Sequence, residues 1–114
     1  KPMKEIKAFI HPHRTAAVIQ ALRESGVCDM QAGSACFHIA ISQVQCVHAT
    51  GDSVQQHYSV ELGEPVVLQT KLELVCEDDA ADALVDLIVR NGHAGQNCSG
   101  WVHVSTLDRR VPIP

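Results

Sequence analysis

Two Cys-x-His pairs are the chemically richest feature of this 114-residue chain: Cys36 with His38, and Cys46 with His48, with His57 a little further on. Thiolate and imidazole are the ligands zinc and copper(I) prefer, and residues i and i+2 of one strand share a face. Two such pairs facing each other in a loop would offer four metal ligands, although the spacing matches no standard zinc motif. The plain alternative makes Cys36 and Cys46 small core residues and the histidines exposed loop residues. His11 and His13 flank Pro12, a second place where alternate residues point the same way. Gly92, Gly95 and Gly100 punctuate one stretch near the C-terminus. Glycine permits positive φ and close backbone approach, so successive N–H groups there can form a nest for an anion such as phosphate. Three glycines equally suit an ordinary helix-to-strand connection. Trp101, directly after them, either stacks on a base or packs under a sheet, and packing is the simpler expectation. Lys71 and Glu73 alternate on one strand face, which reads as an ion pair rather than acid–base machinery. Neither a Gly-x-Ser-x-Gly elbow nor a His-Glu-x-x-His pair appears, so the sequence is not read as an enzyme.

These residues need elements to hold them. Met3 to Ile10 alternates Ile6, Ala8 and Ile10 with Lys7, the period of a strand. Pro12 then introduces a helix over His13 to Ser25, with Ala17, Val18, Ala21 and Leu22 forming one stripe and Gly26 ending it. Met30 to Val47 reads as a second strand with Phe37, Ile39 and Ile41 inward, followed by a polar loop over His48 to Gln56. A third strand spans Tyr58 to Val75, interrupted near Gly63 to Pro65, with Leu68, Thr70, Leu72 and Leu74 on one face. Asp78 and Asp79 suit the start of a helix carrying Ala80, Ala83, Leu84, Leu87 and Ile88. A last strand covers Trp101 to Ser105. The order β-α-β-β-α-β predicts an α+β, ferredoxin-like domain spanning 1–114, an antiparallel sheet with both helices on one face.

Composition excludes several classes. The net charge is −4, from nine basic and thirteen acidic residues, and aromatics make up only 4%. That is the wrong sign for a phosphate-backbone binder and too few rings for base stacking, so no nucleic-acid partner is expected. No apolar run reaches the roughly 20 residues of a membrane helix, so no direct membrane insertion is expected. Five cysteines, an odd number at irregular spacing, read as reduced thiols in a cytoplasm.

Four segments in register resemble the PII signal-transduction (nitrogen regulatory P-II) family. Met3 to Pro12, MKEIKAFIHP, looks like that family's opening strand. Ala21, Leu22, Gly26 and Met30 fall at its helix-end spacing. Lys71 to Val75, with Asp78 and Asp79 after it, is similar to its third strand and the start of its second helix. Ala94, Gly95 and Gly100 lie where the family has its glycine-rich nucleotide loop. The resemblance implies a homotrimer of ferredoxin-like subunits that binds adenine nucleotides (ATP, ADP or AMP) between subunits. It also implies a flexible T-loop, here Ser42 to Tyr58, that docks on a target protein such as an enzyme or a membrane transporter. By position, Gly92 to Gly100 is the nucleotide-facing B-loop, and Gly95, Ser99, Gly100, Trp101, Lys71 and Glu73 line the nucleotide.

The departures are specific. Cys98, Ser99, Gly100 and Trp101 replace the family's Gly-Asp-Gly-Lys, removing a carboxylate and a phosphate-pairing lysine. Phe37 to Ile41 replaces a Gly-x-x-Arg-Gln segment, Gln69 replaces a lysine, and Arg109 and Arg110 lie out of register with the family's C-terminal arginines. Fewer cations imply weaker binding, or a preference for a less phosphorylated nucleotide such as AMP or ADP. The expectation is therefore a divergent PII-like regulator, with a metal-responsive protein using Cys36, His38, Cys46, His48 and His57 as the alternative.

Overall fold

A computed structural model describes residues 2–28, 36–47, 56–95 and 100–114. Strand β1 (Met3–Ile10) buries Ile6, Ala8 and Ile10 and leaves Glu5, Lys7 and Phe9 half-buried on the other face, as period 2 requires. Pro12 opens a single 3-10 turn (Pro12–Arg14), where the His13 N–H donates to His11 Nδ1 (3.1 Å). Helix α1 (Thr15–Glu24) follows and turns Val18 and Leu22 inward. Then come β2 (Cys36–Val47), β3 (Gln56–Ser59) and β4 (Glu64–Glu77), a 3-10 turn over Asp78–Ala80, helix α2 (Ala81–Gly92) and β5 (Trp101–Leu107).

The strands pair antiparallel in the order β2-β4-β1-β5, with β3 added beside the start of β4. This is the α+β, ferredoxin-like arrangement expected from the element order. Ile6, Ala8, Ile10, Leu72, Leu74 and Cys76 of the sheet share one core with Val18 and Leu22 of α1 and Leu84 and Ile88 of α2. Both helices therefore cover the same face, and each such large side chain contributes about 1.5–3 kcal/mol by leaving water. Thr70 is the polar residue within that core. Its hydroxyl oxygen accepts from Thr15 Oγ1 (2.9 Å) and Gln43 Nε2 (3.2 Å), which removes the cost of burying it. Arg14 Nε donates to the Asn91 carbonyl (2.9 Å), placing a cation at the C-terminal end of α2.

Four expectations need correction. The interruption near Gly63 is a full reversal: Gly63, at φ 69°, donates its N–H to the Ser59 carbonyl (2.7 Å), so two strands form where one was read. Second, β2 does not keep one inward parity. Cys36 pairs with Cys76 and Phe37 with Val75, but Ala40 pairs with Glu73, so the strand carries one extra residue at a bulge where His38 adopts φ 56°. Before the bulge Cys36 faces the helices; beyond it Ile41 lies on that side, at the uncovered edge and 48% exposed. Third, the described part of the Ser42–Tyr58 segment is strand rather than loop. Ser42 to Val47 belongs to β2 and Gln56 to Tyr58 to β3; residues 48–55 lie outside the described residues. Fourth, Cys28 and Cys36 are joined in a disulfide, so two of the five cysteines are not reduced thiols, while Cys46 and Cys76 are free. Among the described residues, no helix is long and apolar enough to cross a membrane.

Candidate functional site

Residues directly opposite in an antiparallel ladder project from the same face, so the register assembles rows across the sheet. On the face without helices, one row runs Ser42, Lys71, Phe9, Trp101 across β2, β4, β1 and β5. The next runs Ala40, Glu73, Lys7, His103. Within them Lys71 Nζ lies 3.1 Å from Glu73 Oε1 and 6.0 Å from the centre of the Phe9 ring. The Phe9 and His103 rings are 5.6 Å apart, and Lys7 Nζ lies 3.3 Å from Glu5 Oε1. Trp101 is 62% exposed, so the expectation that it packs under the sheet is not met in this chain. Its partner row explains why: among the described residues, β5 pairs with β1 on one side and is an edge on the other, and no helix covers this face.

The glycine loop divides into two kinds of glycine. Gly95 sits at φ 78° with open space around its missing side chain, so backbone conformation selects it. Gly100 is selected by contact. A Cβ there would fall on the Phe9 carbonyl oxygen and within 3.1 Å of the Phe9 carbonyl carbon. It lets β5 begin hard against the end of β1, which brings Trp101 beside Phe9. Of the six residues expected around a nucleotide, Lys71, Glu73, Gly100 and Trp101 converge at this end of the sheet, Gly95 precedes it, and Ser99 lies outside the described residues. Phe9 and Ser42 were missed. Only register marks Ser42, whereas the parity of β1, which sets Phe9 against Ile6, Ala8 and Ile10, was available as a signal.

The metal arrangement does not form. Cys36 and Cys46 lie in one continuous strand, ten residues and so roughly 30 Å apart, so the two cysteines cannot face each other. Cys36 is also consumed by its disulfide. Cys46 donates its thiol hydrogen to Gln69 Oε1 (3.0 Å), and burial holds that thiol above its ordinary value. His38 and His57 are exposed, and His48 lies outside the described residues. Among the described residues, no three His, Cys, Asp or Glu side chains are gathered to hold a metal ion.

What remains is a ferredoxin-like domain whose open sheet face carries paired charges and aromatic rings. No family model matches the chain. It is, however, 30% identical over 114 residues to the nitrogen fixation nifHD region glnB-like protein 1 of Methanococcus maripaludis strain S2, covering 97% of this chain and 93% of that protein. It is 26% identical over 111 residues to nitrogen regulatory protein P-II 1 of Escherichia coli K12, covering 97% and 91%. It is 25% identical over 111 residues to nitrogen regulatory protein P-II 2 of Methanothermobacter thermautotrophicus, covering 97% and 89%. The chain belongs to the nitrogen regulatory P-II, or glnB-like, family. It is a divergent member with a signalling role and is not an enzyme.

Proposed function

We propose that this protein is a cytoplasmic PII-like regulator that binds an adenine nucleotide between the subunits of a homotrimer and controls a target protein, an enzyme or a membrane transporter. The observation that supports this most is the row Lys71, Phe9, Trp101 with Gly100 against β1. An exposed indole offers a face for a base, and Lys71 offers one cation for phosphate. That cation already faces Glu73, so the site favours AMP or ADP over ATP. The half-buried charges of the same face gain partners if a second and third copy close over it.

Signalling would follow by population shift. The strand that carries Ser42 continues as β2 to Val47, and the strand that carries Lys71 runs back to Glu64 paired with both β2 and β3, the two sides of the T-loop-like segment. A nucleotide that prefers one arrangement of the row would favour one arrangement of those strands, and the target would bind that arrangement better. Trp101 is the sole tryptophan, so its emission reports on the site directly. Titration with AMP, ADP and ATP should give a saturable change, weakened about tenfold or more by Lys71→Ala. No change in emission and no heat by calorimetry with any of the three would reject the nucleotide. A solution mass other than three times 12.4 kDa would reject the trimer.

A further inference from the structure

The covered side of the sheet holds three sulfurs that the regulatory reading does not use. Cys28, just beyond α1, is 2% exposed, Cys36 at the start of β2 is 1%, and Cys76 near the end of β4 is fully buried. Cys28 and Cys36 are bonded, with their Cα atoms 4.8 Å apart, and Cys76 is a free thiol. Cys76 is also the residue directly opposite Cys36 in the β2–β4 ladder. Opposed residues of an antiparallel pair project from one face with Cα atoms about 4.5–5.5 Å apart, inside the roughly 4.4–6.8 Å window of a disulfide. Cys36 therefore stands within bonding range of two partners carried by two different elements.

We propose that Cys28, Cys36 and Cys76 form one thiol–disulfide exchange unit, in which Cys36 is the shared partner and the cross-link moves between Cys28 and Cys76. The Cys76 thiolate attacks Cys36 Sγ; the Cys36–Cys76 bond forms and the Cys28–Cys36 bond breaks. Cys28 leaves as a thiolate and takes up the proton that Cys76 gave. No oxidant or reductant is needed, because the number of disulfides does not change. Burial, with Asp78 and Asp79 nearby, keeps the Cys76 thiol protonated, so the exchange is slow and either linkage persists.

The consequence lies in β2. The bulge with His38 at φ 56° leaves Cys36 and Phe37 as the paired residues on its near side. A Cys28–Cys36 bond ties that short piece to the end of α1, and a Cys36–Cys76 bond ties it to β4 itself. The unit thus selects which neighbour anchors the start of the strand whose far end reaches Val47. This goes beyond the nucleotide reading and is tested separately from it.

The test maps linkages in the full-length wild type and in Cys28→Ser. Each is equilibrated in a glutathione redox buffer, quenched in acid, alkylated with N-ethylmaleimide, digested and analysed by mass spectrometry. In Cys28→Ser, the Cys36–Cys76 peptide is expected in most molecules. Recovery of Cys36 as a thiol or glutathione adduct, with Cys76 alkylated, would overturn the proposal. Circular dichroism reports whether the variant folds; should it not, the wild type decides. There the Cys36–Cys76 peptide accompanies the Cys28–Cys36 peptide in about one molecule in a hundred or more, and disappears in Cys76→Ser. Its absence from the wild type, or a Cys36 link to Cys46 or Cys98, would equally overturn the proposal.

Discussion

The two faces of this sheet are built from alternate residues of the same strands, yet they end in opposite conditions. Toward the helices, Ile6, Ala8, Leu72 and Leu74 lose essentially all contact with water, and the buried Thr70 has its hydrogen bonds. On the other side Lys7, Phe9, Lys71 and Glu73 remain half-exposed and Trp101 largely so. The first face is completed by this chain alone. The second carries the Phe9, Trp101 and His103 rings beside the Lys71–Glu73 and Lys7–Glu5 ion pairs. An antiparallel sheet can leave one side wet, and the largely exposed Trp101 leaves apolar surface there that the described residues do not cover.

The sharpest way to test that division is to truncate one large side chain on each side. Leu84→Ala removes a fully buried anchor of α2 and should cost about 2–5 kcal/mol, a fall in melting temperature of about 10–20 °C. Trp101→Ala should leave the stability of the single chain within about 0.5 kcal/mol of wild type while removing the calorimetric response to nucleotide. A Trp101→Ala protein that melts as low as Leu84→Ala would break the comparison, because the open face would then be core in the assembled protein. Thermal unfolding followed by circular dichroism at two protein concentrations separates these outcomes, since assembly makes melting concentration-dependent.

A smaller effect is expected where the two faces meet. Gly100→Ala forces a methyl group onto the Phe9 carbonyl, so β5 must shift away from β1 at a cost of about 1–3 kcal/mol. The shift also moves Trp101 relative to Phe9, so the loss of stability should come with a loss of nucleotide response. Gly95→Ala, where nothing lies within 4 Å, pays only for its left-handed backbone, about 1–2 kcal/mol, and should keep the response. Equal loss of response in both would mean that Gly100 does not position the row.

What was legible in the sequence follows the same division. The helix-facing pattern repeats along β1, β4, α1 and α2, and repetition is what makes periodicity readable. It gave the element order and, through Leu72, Leu74, Leu84 and Ile88, most of the core. The rows of the open face depend on register, which no local pattern specifies, so Lys71, Glu73 and Trp101 stand out one by one but are not assembled, and Phe9, marked by the parity of β1, is passed over. The bulge at His38 was invisible because one inserted residue leaves both flanking stretches apolar and merely swaps their parity. Gly63 and Pro65 marked an interruption in a strand, but a turn signal does not say whether the chain bends or reverses. Cys28 and Cys36 stood eight residues apart with no framework to pair them, and only the return of β2 beside α1 brings them together.

The smallest effect is expected at the rim of the sheet, where β1 hands over to α1. Burial, and secondarily the charge of His13, lowers the pKa of His11 below its ordinary 6.5. The unfolded chain therefore takes up this proton before the folded one does as pH falls. Stability linked to His11 is complete above about pH 6.5 and declines as the pH drops through that value toward the lower folded one, then levels off. The hydrogen bond gives the same sign: His11 Nδ1 accepts from the His13 N–H, and a protonated imidazole has no acceptor nitrogen. Melting temperatures from about pH 8 down to about pH 5.5 should fall less steeply in His11→Gln than in wild type. His13→Gln should lie between them, because it removes the neighbouring charge and leaves the burial. Identical slopes in all three proteins would show that the rim contributes nothing to the pH dependence.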